Sequence, residues 1–186
     1  MKKILALISL SIFLFAACTD IGPAEPTEES TNEETQQEAK VDSQALCDAF
    51  SQETITSIVG KPYLAEAMEE LDSSTGGCKI YNTKDDRLDA RNFNLIARVA
   101  KDAVTAENEF NRAKAVWENG NMVKKSLKTI EGVGTKSFWA YGQETTQLIT
   151  YQEDKLVILT LGHYEQTEEE ILKKAKELTL TTLKKL

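Results

Sequence analysis

The chain has 186 residues and a net charge of −8, which suits one domain of ordinary size with short appendages. The charge is uneven: residues 1–18 carry +2 and residues 19–44 carry −7, which leaves −3 for residues 45–186. The later part therefore offers no basic stripe that could follow a phosphate backbone, and nucleic acid is excluded as an expected partner.

The N-terminus has the pattern of an export signal. Lys2 and Lys3 precede a short apolar run, Ile4–Ala17, that ends in small residues. As a helix this run is too short to cross about 30 Å of hydrocarbon. A positive start followed by a short apolar run is typical of a secretory signal peptide.

The end of that run, LFAAC, resembles the bacterial lipobox, in which small residues precede a cysteine that is lipidated and becomes the mature N-terminus. Phe15 stands where Leu, Val or Ile is usual, and its bulk also disfavours an ordinary signal-peptide cut after Ala17. An ordinary signal peptide and an uncleaved anchor are the alternatives. We predict a lipoprotein signal peptide over residues 1–17, a lipid anchor on Cys18, and a location on the extracytoplasmic side of a cell-envelope membrane.

A polar spacer follows the lipidation site. Glu, Thr, Gln, Ser and Pro fill residues 19–44, with almost no side chain to bury. Such a segment cannot offset the entropy that ordering would cost it. We therefore predict that residues 18–44 form the lipidated cysteine and a disordered acidic tether. An acidic interaction tail or metal sponge has no residue spacing to support it.

We place a single domain at residues 45–186, and two helical patterns open it. Ser51 can cap a first helix that Gly60 and Pro62 end. Three apolar residues share one face of that helix: Ile55, Ile58 and Val59. Apolar residues at helical spacing recur in PYLAEAMEEL, residues 62–71, which predicts a second short helix.

Two strands and a longer helix come next. The runs CKIY and RNFNLIARVA predict strands, and the second has a clear two-residue period in its apolar positions. Thr105 is predicted to cap a helix that ends at Gly120. Its apolar stripe holds Ala106, Phe110, Ala113 and Trp117, and Trp117 is interpreted as a core residue and not as a cofactor-stacking one. Residues 121–131, with three lysines, predict a connection across one sheet edge; a lysine anion site is the alternative.

The stretch from Val133 to His163 organises the domain. Three strand-like runs in it, SFWAY, TTQLITY and KLVILTL, predict a meander. The last run is nearly all apolar, so we expect it at the centre of the sheet with helices covering both of its faces. Gly132 and Gly134 precede a strand and lack the frame of a phosphate loop, so they are interpreted as turn residues.

The final helix has the strongest signals. Thr167 and Glu170 are spaced as a capping box, and Glu168 and Glu169 complement the helix dipole. Leu180 falls outside its apolar stripe. The stripe itself comprises Ile171, Leu172, Ala175, Leu178, Leu183 and Leu186.

Cysteine and histidine usage limits the chemistry. Once Cys18 is assigned to lipid, an even pair remains in an exported domain, so we predict a disulfide between Cys47 and Cys78. Two buried free thiols are the alternative. His163 is the single histidine, which leaves no metal cluster and no catalytic Cys–His pair to expect, and no segment has the pattern of a nucleophile elbow.

These features together resemble a family of bacterial lipoproteins of unknown function. The motifs are the lipobox and polar spacer, LCDAFSQETITSIVG, a second cysteine near an aromatic residue, the GVGTKSFW turn, a hairpin and a final amphipathic helix. Ser137 stands where the family has Ala, and Tyr81 replaces a Trp. The resemblance covers residues 45–186 and implies a PsbP-like domain, an antiparallel sheet flanked by helices. It brings no catalytic residues.

The predicted fold is α+β, with an antiparallel sheet of about five strands flanked by helices. The predicted function is that of a membrane-tethered, non-catalytic binding or interaction module without a cofactor. Its expected partners are the membrane, through the N-terminal lipid, and an envelope protein or small ligand. A small-ligand carrier with a cleft between sheet and helix, and a hydrolase without a familiar motif, are the alternatives.

Overall fold

The computed structural model describes residues 40–68, 73–84, 92–120, 124–143, 145–162 and 166–186, all within one compact unit, Gln37–Leu186. These residues form four helices and seven strands. In chain order they are α1 (Ser43–Asp48), α2 (Gln52–Val59), β1 (Tyr63–Met68), β2 (Thr75–Asn82), β3 (Asn92–Val99), α3 (Ala103–Asn119), β4 (Lys124–Ile130), β5 (Lys136–Gly142), β6 (Thr145–Gln152), β7 (Lys155–Gly162) and α4 (Glu168–Leu183).

The strands form one sheet in the order β1-β2-β3-β7-β6-β5-β4, and every neighbouring pair is antiparallel. The predicted α+β class with an antiparallel sheet is confirmed, but the described sheet has seven strands instead of about five. The two additional strands, β1 and β4, are the two edges of the sheet.

Strand β7 lies at the centre of the sheet, as its apolar sequence predicts. Val157, Leu159 and Leu161 point into a first core, where α4 packs on the sheet. Leu156 and Ile158 point to the opposite face and belong to a second core under α3. The three predicted runs of the meander are confirmed as β5, β6 and β7.

The first core is covered by α4 and by the helices at the start of the domain. The predicted capping box of α4 is present: the Thr167 hydroxyl accepts from the Glu170 amide (3.3 Å), and the Glu170 carboxylate accepts from the Thr167 amide (2.9 Å). Leu180 is 38% exposed, off the buried stripe. Helix α2 begins after Ser51 and ends at Gly60, as predicted.

Helix α3 covers the second core, and its start differs from the prediction. The N-cap is Asp102, whose Oδ1 accepts from the Thr105 amide at 2.7 Å, so Thr105 lies inside the first turn. Trp117 is buried, as predicted, and its Nε1 donates to Gln147 Oε1 at 2.6 Å. Gln147 in turn donates to Thr160 Oγ1 at 3.0 Å, which ties α3 to β6 and β7.

The predicted short helix over residues 62–71 is wrong. Residues Tyr63–Met68 form β1, an edge strand that pairs with β2 over six residue pairs. Leu64 and Met68 have helical spacing, but both side chains are exposed in the strand. Their spacing therefore does not mark a face that packs against the core. Pairing with β2 therefore overrides a local pattern that had no core to bury.

The predicted connection over residues 121–131 is also wrong in part, because Lys124–Ile130 forms β4. This strand pairs with β5 at the far edge of the sheet, with a register shift between Lys124 and Ser126. Its sequence, KKSLKTI, has only two large apolar residues. It therefore lacks the apolar pattern by which a strand is predicted from sequence.

The domain starts earlier than the predicted tether boundary at residue 44. Val41 and Ser43 are buried, and α1 begins at Ser43. The Val41 amide donates to the Ser73 carbonyl (3.1 Å), and the Gly77 amide donates to Ser43 Oγ (3.0 Å). A Cβ on Gly76 would lie 2.9 Å from Ser43 Oγ, so glycine there permits the close approach.

The glycine turn before β5 folds back across β6, as the turn interpretation requires. Gly132 and Gly134 have positive φ (79° and 61°). The Thr135 amide donates to the Tyr151 carbonyl at 2.8 Å. The buried Ser137 hydroxyl donates to the Val133 carbonyl, which ties the start of β5 to the turn.

We predict that Gly134→Ala lowers the free energy of unfolding by about 2–4 kcal/mol, because a left-handed backbone costs a side chain about 1–2 kcal/mol and the added Cβ would also clash. That Cβ would lie 2.5 Å from Thr150 Oγ1 and 2.6 Å from the Tyr151 carbonyl. Gly132→Ala is the matched control, since its φ is similar but no atom lies within 4 Å of the added Cβ. Urea unfolding measures both; equal losses would contradict the close approach at Gly134.

Candidate functional site

The predicted disulfide is present in the structure. Cys47 in α1 and Cys78 in β2 are bonded, with their Cα atoms 5.1 Å apart and both side chains buried. The bridge spans 31 residues and fixes α1 onto the β1–β2 end of the sheet. It lies inside the first core, so its role is structural.

Removal of this bridge should destabilise the domain strongly. On the chain-entropy model, closing a loop of this length contributes about 3–4 kcal/mol, so the double change Cys47→Ala with Cys78→Ala is expected to lower the free energy of unfolding by that amount. Guanidinium unfolding of the variant, compared with reduced and oxidised wild type, provides the measurement. A loss below about 1 kcal/mol would show that the bridge contributes little here.

A partly buried acid, Glu168, gathers donors at the start of α4. Its Oε1 accepts from Ser126 Oγ (2.6 Å), Lys128 Nζ (2.6 Å) and Trp139 Nε1 (3.0 Å). Burial alone would raise the pKa of Glu168, but the hydrogen bonds from these three residues outweigh it and hold the pKa below its usual value. The cluster fixes β4 and β5 to α4.

This cluster predicts a pH-dependent stability difference. A carboxyl whose folded pKa is lowered stabilises the fold above its unfolded pKa, near 4.3, and loses that contribution as pH falls through the folded pKa. We expect Glu168→Gln to lower the free energy of unfolding by about 1 kcal/mol at pH 7. This loss should become smaller below about pH 4. Glu169→Gln, the exposed neighbour at the same helix end, is the control and should cost much less. A cost for Glu168→Gln that does not change with pH would contradict the charge-assisted network.

A second polar cluster lies on the α3 side of the sheet. Lys136 Nζ donates to Glu107 Oε1, near the Tyr151 ring, which packs against Phe110. The hydrogen bond from Lys136 lowers the pKa of Glu107, and the same bond raises the pKa of Lys136. The pair is exposed and lines neither of the grooves described next. Its geometry is that of a surface ion pair holding α3 against β5.

Two open grooves mark the surface of the first-core side. One, of about 340 Å³, lies between α2 and α4, and Lys174 Nζ there donates to the Ser57 carbonyl at 2.7 Å. The other, of about 450 Å³, lies where the described chain begins and ends, beside Val41, Leu46 and Leu186. Both are partly open to solvent. Neither brings together the polar clusters that a familiar reaction would need.

Strand β1 is the most exposed regular element of the sheet. Five of its six residues are exposed and only Tyr63 is half-buried. Leu64 is 44% exposed and Met68 36% exposed, although both are large apolar side chains. Among the described helices, α1 packs on β1, on the face opposite to these two side chains. The strand therefore presents apolar surface that the described fold does not cover.

A small side-chain network continues this surface onto β2. Lys79 Nζ lies 4.8 Å from the centre of the Tyr81 ring, and the Tyr81 hydroxyl donates to Glu66 Oε1 at 3.1 Å. The hydrogen bond to Glu66 raises the pKa of Tyr81. We call Leu64, Glu66, Met68, Lys79 and Tyr81 together the open face.

The two sheet edges differ in their protection against pairing with another strand. Edge strands are commonly blunted by lysines or by bulges. The β4 sequence has three lysines, and the strand has an irregular register near its start. The β1 sequence, YLAEAM, has a single charge, Glu66, and a regular register with β2. Edge β1 is thus the edge open to a further strand.

Sequence reasoning did not single out β1 as a site. The helical spacing of its apolar residues predicted a helix in place of an exposed strand. The one available signal was the pair of large apolar residues, Leu64 and Met68, which have no buried partners. Cys18 and His163 lie outside the described residues, so the lipid site and the position of that histidine stay predictions. Within the described ranges no group of three or more His, Cys, Asp or Glu side chains could hold a metal ion. In the same ranges no helix is long and apolar enough to cross a membrane.

No family model and no curated protein matches the chain.

Proposed function

We propose that this protein is an extracytoplasmic lipoprotein, anchored through Cys18, whose domain binds a protein partner and carries out no catalysis. The observation that supports this function best is the open edge of β1. An edge strand with exposed apolar residues and no protective lysine is a template on which another chain can form hydrogen bonds. The acidic tether gives the domain reach, and the lipid confines it near its neighbours, which raises their effective concentration.

A small-ligand carrier is the second candidate, and the groove beside Val41, Leu46 and Leu186 favours it. Its apolar lining suits an apolar ligand group, and charged residues of both signs line it as well: Lys40, Lys185, Asp42 and Asp48. Carrier pockets usually bury most of the ligand surface, whereas this groove is only partly enclosed. A hydrolase is supported least, because neither the Glu168 cluster nor the Glu107–Lys136 pair lines either of the two grooves described above.

Site-directed photo-cross-linking in native membranes tests the proposal. A photoreactive residue at Leu64 should give discrete protein adducts. Val116, which is 59% exposed on α3, is the control position and should give none. Cys18→Ala should either release the domain from the membrane fraction or leave a heavier, uncleaved precursor. Equal adduct patterns from both positions, or a Cys18→Ala chain with both unchanged mass and unchanged membrane partition, would contradict the proposal.

A further inference from the structure

The backbone hydrogen bonds of β1 define which of its groups face outward. The Thr83 amide donates to the Pro62 carbonyl at 3.1 Å, so Pro62 and Thr83 form a hydrogen-bonded pair in the β1–β2 register. Hydrogen-bonded pairs alternate along an antiparallel ladder. Even-numbered residues of β1 therefore direct their N–H and C=O groups to β2, and Tyr63, Ala65 and Ala67 direct theirs away from the sheet.

This parity also explains why the proline before β1 leaves the edge unprotected. Proline blunts an edge when its missing N–H lies on the outer side. Pro62 is even-numbered, so the N–H that it lacks would have pointed toward β2. The outer side of β1 keeps the donors and acceptors of three residues, and none of the described residues bonds to them.

We propose that the occupant of this edge is a second copy of the same chain, paired antiparallel through β1 about a two-fold axis at Ala65. The proposal rests on the proposed function, since it names the partner of that binding edge. The two sheets would become one continuous sheet across the axis. An isologous contact of this kind is the commonest form of symmetric assembly.

The register follows from the outward parity. The outward N–H and C=O groups of one copy must meet the outward N–H and C=O groups of the other. Only pairing centred on Ala65 brings all three outward residues of each chain, Tyr63, Ala65 and Ala67, into hydrogen-bonded pairs. That register sets Tyr63 opposite Ala67 and Ala65 opposite Ala65, which gives roughly six backbone hydrogen bonds. Centring on Glu66 would place like charges directly opposite, which is unfavourable.

The side chains suit this register. The residue at the axis is small, and Ala65 and Ala67 are both exposed, so neither needs to move. On the open face, Met68 would lie opposite Pro62 of the other copy, and Leu64 opposite the stem of Glu66. Glu66 is already bonded to the Tyr81 hydroxyl, which directs its carboxylate along its own sheet.

The length of β1 sets the expected strength. Six residues extend for about 20 Å, and we expect pairing of two such strands to bury less than the roughly 1,200 Å² at the lower end of stable interfaces. We therefore infer a weak contact in free solution that becomes populated when both chains are anchored to one membrane. The second copy fits this edge because the lipid supplies the concentration that the short strand does not.

The test is energy transfer between lipidated chains reconstituted in phosphatidylcholine vesicles, with donor and acceptor dyes at position 116 on α3. Wild type should show transfer above that of randomly distributed chains. Ala65→Lys and Ala65→Glu should each weaken association about fivefold, because like charges would meet at the axis. A mixture of the two variants should regain transfer, since opposite charges then meet.

Matched changes at Ala67 provide the register control. Ala67 faces Tyr63 of the other copy, so mixing Ala67→Lys with Ala67→Glu should give no regain over either variant alone. Far-UV circular dichroism and urea unfolding should be unchanged for all four variants, because both alanines are exposed.

Self-pairing through β1 is overturned if wild type shows no energy transfer above that of randomly distributed chains. It is also overturned if mixing Ala65→Lys with Ala65→Glu does not restore energy transfer. If Leu64 still cross-links to a different protein in native membranes, the proposed binding function stands and another chain occupies the edge. If the Leu64 adducts are absent as well, both proposals are wrong. Energy transfer that is restored in the mixture of Ala65 variants, but not in the mixture of Ala67 variants, supports both the second copy and the register.

Discussion

Strand β7 is hydrogen-bonded on both edges, to β3 and β6, and its side chains enter a core on each face of the sheet. A strand buried on both faces needs a helix on each side. Helix α4 meets this need on one face and α3 on the other. The three-residue link from Trp117 through Gln147 to Thr160 fixes α3 at that central position. The placement of the helices is thus determined by the middle of the sheet and not by its edges.

The consequence appears at the β1 end. Helix α3 packs against β6 and β7, so the same face of the sheet farther along, at β1 and β2, has no described helix on it. The opposite face there is held by α1, which the Cys47–Cys78 bridge fixes to β2. The result is a firmly supported strand pair with one uncovered face and one free edge. A rigid support beneath an exposed edge is what a strand-pairing surface requires.

The sequence predicts the parts of this fold whose apolar side chains face a core. β3, β7 and α4 are correct because their apolar residues do face a core, and Ser51 and Thr167 cap helices through local hydrogen bonds. The disulfide follows from a cysteine count and the expected compartment. β1 and β4 could not be predicted by the same reasoning, since these edge strands bury few apolar side chains and owe their structure to backbone pairing with the next strand along the chain. The candidate surface was missed for the same physical reason.

Residue-resolved amide hydrogen exchange tests the central claim, that the β1 edge is the working surface of the tethered domain. The amides of Ala65 and Ala67 point away from β2 and should exchange fast in the lipid-free chain. They should become protected when the lipidated chain is on its own membrane, whereas Leu159 in β7 should be slow in both states. Fast exchange at Ala65 and Ala67 in both states, with Leu159 slow throughout, would show that nothing pairs with this edge.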